Sequence, residues 1–383
     1  MIQRGTPPDA VYAFKHALVQ DAAHGSLLRS SRQQLHAQIA EALETYSPDL
    51  ADSQPELLAQ HYAEAGLIER AATYWGKAGR RSAARSAMAE AAAQFQKGLD
   101  ELALLPDTPE RQRQELEFCS ALGAVLHAVK GQAAPETGHA YARARELWEQ
   151  LGSPSEFLGV PFGQSLYHLY RGELDLALRL DEHFLRLSNQ RNDSAGLVLG
   201  HASSGRNLFF VGRFASSRSH LEEALALYDP ISHRALVHRT GLYPSSSYLG
   251  IVLFCIGLPD QALERSITAI VEARRLAHPP SLAGNLATGI RLRLLVGDNV
   301  ALGEWVDQLA AVTTEQGFPH WRAMGTICRG WVKVKNGDVA EGISLLRTGG
   351  AASRAAGAWR PIISPSWPRH ATSQGKLKRR WRC

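Results

Sequence analysis

Four cysteines (Cys119, Cys255, Cys328 and Cys383) and fifteen histidines are the residues from which nucleophilic or metal-assisted chemistry would be built. The cysteines are too scattered for a disulfide framework, and no two have the spacing of a zinc knuckle or a redox dithiol. Cys255 and Cys328 sit in apolar stretches and read as small core residues, with no histidine placed by sequence to activate them. No H-E-x-x-H occurs. The one close histidine pair, His233 and His238, falls off a single helical face and lacks a cysteine or carboxylate to complete a tetrahedral set, so both read as solvated loop groups. A phosphate loop, G-x-x-x-x-G-K-[ST], is absent; the nearest glycine pair, Gly131 and Gly138, lacks the lysine and the preceding strand and reads as a turn between helices. His16 and Asp21 share one helical stretch and are expected to fix its packing. The sequence therefore predicts a non-catalytic chain with no cofactor and no metal site.

The elements that position these residues follow a repeat. Gly172, Gly212, Gly257, Gly297 and Gly337 are 40, 45, 40 and 40 residues apart, each between two apolar helical stretches. A fixed period of this length is the signature of a solenoid. Each glycine is placed to stop a first helix in a left-handed conformation. Seven residues before three of them stand Gly205, Gly250 and Gly330, and five residues after two of them stand Ala177 and Ala262, small residues spaced as contacts between antiparallel helices. The hairpin is clearest where Leu208, Phe209 and Val211 precede Gly212, and Leu221, Ala224, Leu225 and Leu227 share one face after it. Weaker hairpins come earlier: Leu58 to Ala65 and Glu69 to Trp75 around Gly66, a helix from Met88 to Leu105, a break at Pro106 to Pro109, and helices at about 110–130 and 137–151. No alternation of the β type appears. The fold class is all-α, a solenoid of helical hairpins over residues 55–348, preceded by a helical segment over 1–46 that reads as two helices.

Composition agrees with a folded chain: of 383 residues, 45% are hydrophobic and 21% charged. The net charge of +5 would invite a nucleic-acid partner, but Arg369, Lys376, Lys378, Arg379, Arg380 and Arg382 supply it from one stretch and the rest is near neutral. Nucleic acid is therefore not an expected partner. No apolar run reaches the length of a membrane span, and the first twenty residues lack a signal-peptide core, so a cytoplasmic protein without membrane contact is expected. The composition of 361–383, with its prolines, tryptophans and basic run, departs from the body. Back-translation of Ile363 to Cys383 into GC-rich codons admits a second frame that reads as another repeat hairpin. The expectation is a frameshifted, disordered tail on a fragment of a longer gene.

Gly250, Gly257, Ala262 and Ala269, at successive offsets of seven, five and seven, match the packing positions of the tetratricopeptide repeat. Gly205, Gly212 and Ala224 match three of the four, with Ser217 in the alanine place. The chain resembles that family over most of Pro55 to Thr348, with a longer period than the standard unit. The resemblance implies a right-handed superhelix with a concave binding face. The run Phe14 to Ala23, with Leu27, Leu28, Arg32, Leu35 and His36, resembles the segment that joins an ATPase module to repeats in large bacterial regulators linked to adenylate or guanylate cyclase or to DNA-binding domains. That resemblance implies a sensor or regulatory tail without the catalytic domains. It also implies an interdomain contact at His16 and Asp21, and a protein or peptide partner, including such an ATPase or cyclase module. Two alternatives remain: a cyclase or ATPase by family, its activity in absent upstream domains, and a small-ligand-sensing repeat domain.

In such a solenoid the residue after the packing glycine on the first helix faces the groove. Arg206, Ile251 and Trp331 occupy that place, and Arg291 is the equivalent in the fourth unit. Arginine and tryptophan are favoured interface anchors, and Tyr170, Asn207 and Lys335 extend the same candidate surface. The bland alternative, a snorkelling arginine and a packed tryptophan, carries equal weight from sequence. Trp148, Trp305 and Trp321 read as core or rim residues.

Overall fold

The computed structural model describes residues 2–4, 11–13, 25–229, 231–233 and 246–355. His16, Asp21, His238 and the basic tail from Arg369 onward lie outside the described residues. Seventeen helices are described: α1 Arg29–Tyr46, α2 Pro48–Ser53, α3 Pro55–Ala65, α4 Ile68–Ala84, α5 Met88–Leu102, α6 Pro109–Val129, α7 Pro135–Gln150, α8 Gly159–Tyr170, α9 Leu174–Gln190, α10 Ser194–Phe210, α11 Phe214–Leu227, α12 Ser246–Cys255, α13 Pro259–Arg275, α14 Pro279–Val296, α15 Asn299–Glu315, α16 Pro319–Lys335 and α17 Val339–Ala355. The fold is an all-α array of helical hairpins. One feature departs from the reading of the N-terminal segment as two helices: β1 (Ile2–Arg4) and β2 (Val11–Ala13) form an antiparallel ribbon with Ile2 opposite Ala13. Ile, Val and Tyr favour extended backbone, and three residues are too few for an alternation to show in the sequence.

Local chemistry explains the helix ends. Seven of the described helices begin at a proline, where the missing amide donor is not needed and the fixed φ suits the first turn. Asp193 and Asp298 cap α10 and α15, accepting hydrogen bonds from the backbone of Gly196 at 3.0 Å and Ala301 at 3.2 Å. All five period-setting glycines have left-handed backbone, from φ 78° at Gly172 and Gly212 to 96° at Gly337. The turns between hairpins use the same conformation without requiring glycine: Asn192 (φ 51°) joins α9 to α10, and Ala277 (φ 50°) joins α13 to α14.

The chain divides into two compact units, residues 1–81 with 93–111, and 82–92 with 112–383. The first has a core of Leu58, Ala59, Tyr62, Ala71, Tyr74, Trp75 and Ala78 with Ala40 and Ala51. At its edge the Glu44 carboxylate accepts hydrogen bonds from the Tyr62 and Tyr74 hydroxyls, each at 2.6 Å, and from Arg70. Burial works to raise the Glu44 pKa, yet the two tyrosine hydroxyls and the guanidinium outweigh it and hold the carboxyl below its ordinary value.

The second unit holds the long-period repeats. Helices pack in sequential pairs, and the first helices of the hairpins (α8, α10, α12, α14 and α16) also touch one another in series, forming an inner row. Small residues set the spacing within hairpins. A Cβ on Gly250 would lie 3.0 Å from the Ala262 carbonyl oxygen, and one on Gly330 would lie 2.8 Å from that of Gly342. Ser217, standing in the alanine place, donates its hydroxyl to the Gly205 carbonyl at 2.6 Å. A serine therefore does the spacing work of alanine while satisfying its own polar atom, because the partner glycine leaves its carbonyl accessible. Among the described residues no helix is long and apolar enough to cross a membrane.

Candidate functional site

A partly open cavity, with about 50 Å³ of room for water-sized molecules, lies along the inner row of the second unit. Its wall comes almost wholly from first helices: Phe162, Leu166 and Tyr170 on α8; Leu199, Ala202 and Arg206 on α10; Tyr248 on α12; a stripe on α14 from Ser281 to Arg291; and Trp321 on α16. Gln132, in the turn before α7, closes the remaining side. The spacings of four along α8 and of three and four along α14 place one face of each helix on the cavity.

Three of the sequence-derived groove residues meet here. Tyr170, Arg206 and Arg291 all line the cavity. The Arg206 guanidinium lies over the Phe162 ring with its centre 5.1 Å from the centroid, and its Nη2 donates to Ser203 Oγ at 2.9 Å. Tyr248 lies within electrostatic reach of both Tyr170 and Arg291. Arg291 Nη2 also reaches Met324 Sδ at 3.4 Å. Burial raises the pKa of Tyr170, and the neighbouring Tyr248 adds to this, against the opposing pull of Arg291 and Arg206.

The others are placed differently. Asn207 is fully buried behind the wall, where its amide donates to Asp181 Oδ2 at 2.6 Å and to Ser165 Oγ at 2.9 Å. Trp331 packs on the core that Leu286, Ile290 and Leu309 share, and Lys335 sits 5.2 Å above its ring, so this pair stands apart from the cavity. Ile251, in the position equivalent to Arg206, is core, packed with Leu221, Val252 and Leu292. An apolar side chain at that place gains more from neighbouring hairpins than from water.

One expectation is corrected. His233, expected in solvent, is 5% exposed: its Nδ1 accepts from the Asp229 amide at 3.0 Å and its Nε2 lies 3.0 Å from Ser194 Oγ. It ties the end of α11 to the start of α10, a non-local contact that residue spacing does not carry. Trp321, read as core or rim, is core, packed with Leu286 and Ile290, and also lines the cavity. Trp148 is core and donates its indole N–H to the Pro154 carbonyl at 3.0 Å, while Arg293 lies 4.7 Å over Trp305.

The sequence reading passed over Gln132, Tyr248, Asn285 and the two interior histidines. His127 and His320 carry pKa values pushed down to about 3 and about 4, first by burial; His320 and Arg206 then act on His127, and Arg291 on His320. Both imidazoles are neutral at pH 7. Tyr248, Asn285 and His320 share a position on a first helix, a signal weaker than the glycine spacing. Cys119, Cys255 and Cys328 are free thiols with pKa values pushed up, chiefly by burial, to about 12, 11 and 11, which is the state of packing residues rather than nucleophiles. No cluster of three metal-ligating side chains occurs among the described residues.

No family model matches the chain. It is 26% identical over 364 residues to an uncharacterised protein of Rhizobium meliloti (strain 1021), an alignment that takes in 90% of this chain and 34% of that protein. The chain thus spans about a third of the length of that relative. Among solved structures it is similar to a Rap conjugation gene regulator of plasmid pLS20 in complex with the Phr* peptide, with a TM-score of 0.58, 14% identity and coverage of 78% of this chain and 76% of that one. A Rap protein complexed with competence and sporulation factor superposes with a TM-score of 0.52 at 12% identity, covering 76% and 78%. The apo form of RapI gives 0.51 at 14%, covering 74% and 98%. At these identities the likeness is one of fold: a tetratricopeptide-like helical repeat.

Proposed function

We propose that this chain is a non-catalytic, peptide-binding helical repeat that serves as the sensor portion of a larger regulator. The observation that carries the reading is the placement of the cavity: its wall is built from the inner row of first helices, where aromatic rings and two arginines converge. Concave surfaces with an apolar wall and a few placed polar groups are the common form of ligand sites. Two proteins of the same fold are solved with a Phr* peptide and with competence and sporulation factor, which supports a peptide as the ligand class here. The ligand, seated across several hairpins, would favour one spacing of the array and so bias a neighbouring domain between two states.

Membership in an ATPase- or cyclase-linked regulator belongs to the same proposal. Its supports are the resemblance of Phe14 to His36 to the segment before such repeats and the far greater length of the Rhizobium relative. His16 and Asp21 would then sit at the junction with the ATPase module. Trp331 and Lys335 would form a secondary contact outside the cavity.

The test is equilibrium binding of random-sequence peptide pools to the full chain, followed by competition and by repetition with Tyr248→Ala and Trp321→Ala. Saturable binding that both wall substitutions weaken supports the reading. Binding that neither substitution changes places the ligand elsewhere, and no saturable binding from any pool overturns it.

A further inference from the structure

The cavity holds more positive charge than its surroundings neutralise. Arg206 is 4% exposed, and its Nε has no hydrogen-bond partner. Among the described residues no Asp or Glu forms an ion pair with Arg206 or with Arg291; their contacts are Ser203, Phe162 and Met324, with Tyr248 in electrostatic reach of Arg291. Asp181, which accepts from Ser203 at 2.7 Å and from Asn207 at 2.6 Å, offsets part of the Arg206 charge without pairing with it directly, and among the described residues Arg291 has no such carboxylate. Arg206 and Arg291 line the same cavity, and Tyr170 on its wall lies within electrostatic reach of both. A second buried polar atom on the same wall, Gln132 Oε1, is also without a partner.

Guanidinium groups drawn from water without an ion pair are costly, and a ligand that supplies an anion recovers that cost through charge-assisted, often bidentate hydrogen bonds. The aromatic part of the wall, Phe162, Tyr170, Tyr248 and Trp321, suits an apolar body attached to that anion. We propose that Arg206 and Arg291 bind the carboxylate of a ligand whose apolar portion lies against this aromatic wall. The proposal rests on the peptide-binding reading for the source of the carboxylate, a peptide C-terminus; a free aromatic acid offers the same chemistry.

Four probes separate the sources: random pentapeptide pools with a free C-terminal carboxylate, the same pools amidated, 3-phenylpropionate, and neutral 3-phenylpropionamide. Each is titrated calorimetrically into the full chain and into Arg206→Met, Arg291→Met and, as a surface control, Arg213→Met. The expected result is binding of acid forms about tenfold or more tighter than the matching amides, with the preference lost in the two cavity variants and kept in the control. Should the Met variants fold poorly, Arg206→Lys and Arg291→Lys keep the charge but lose the planar fork, and a drop in the acid-to-amide ratio is again expected. Equal binding of acid and amide, or a ratio unmoved by every cavity variant, overturns the proposal. Binding of 3-phenylpropionate with no peptide binding sustains the carboxylate site and defeats the peptide reading. Peptide binding indifferent to amidation does the reverse.

Discussion

Asn207 donates to Asp181 Oδ2 at 2.6 Å in the fully buried layer immediately behind Arg206. This pair, with Ser165 and Ser203, anchors the stretch of α10 that presents the cavity arginine. Removing the amide by Asn207→Ala leaves a buried carboxylate oxygen short of a donor. A loss of about 1–3 kcal/mol in unfolding free energy is expected, read as a lower urea midpoint at unchanged slope.

The turn between α13 and α14 places Ala277 at φ 50°, where a Cβ is strained, whereas Gly257 takes φ 92° with open space around it. Ala277→Gly should stabilise the protein and Gly257→Ala should destabilise it, each by about 1 kcal/mol. Paired thermal unfolding curves with shifts of the same sign would contradict this.

Close approach of α16 and α17 depends on two glycines facing each other. Gly330→Ala should cost about 1–3 kcal/mol, because the added Cβ would meet the Gly342 backbone at 2.8 Å and backbone cannot step aside cheaply. Gly303→Ala is the contrast: nothing lies within 4 Å of its Cβ position on α15, so higher helix propensity should leave stability unchanged or raise it. Equal urea midpoints for the two variants would refute the packing role.

Acid should loosen the second unit through its buried histidines. His127 and His320 titrate near 3 and 4 in the folded chain because of burial and the nearby charges, but near 6.5 when unfolded. Between those limits the unfolded state binds more protons, so stability falls as pH drops from about 6.5 toward 4. His201 and His220, lowered chiefly by burial, act in the same direction. Asp181, pushed up to about 6 mainly by burial, has the opposite sign, since folding there favours the protonated form between its ordinary value and 6. His127→Gln should therefore flatten the decline in melting temperature between pH 7 and 5, and Asp181→Asn should steepen it. An unaltered pH profile in both variants would refute the assignment.

The hairpin array was legible in the sequence because backbone constraints are local. Gly257 must accept a left-handed turn, and Gly250 must let Ala262 approach, so a 40-residue spacing of small residues records the fold directly. The short ribbon of Ile2 to Arg4 with Val11 to Ala13 was not legible, since pairing across a few residues leaves no periodicity. Site residues were legible only by their place on the first helix of a hairpin: Arg206 and Arg291 share that place with Ile251 and Trp331, yet only the arginines line the cavity. Which of four equivalent positions faces open space depends on how successive hairpins turn about one another and what they pack against. The burial of His233 against Ser194, 39 residues away, is likewise a product of that packing. Repeat spacing alone determined that this chain is a stack of helical hairpins; tertiary packing decided where the stack encloses a cavity, because burial and charge pairing arise between residues that the chain brings together only when it is folded.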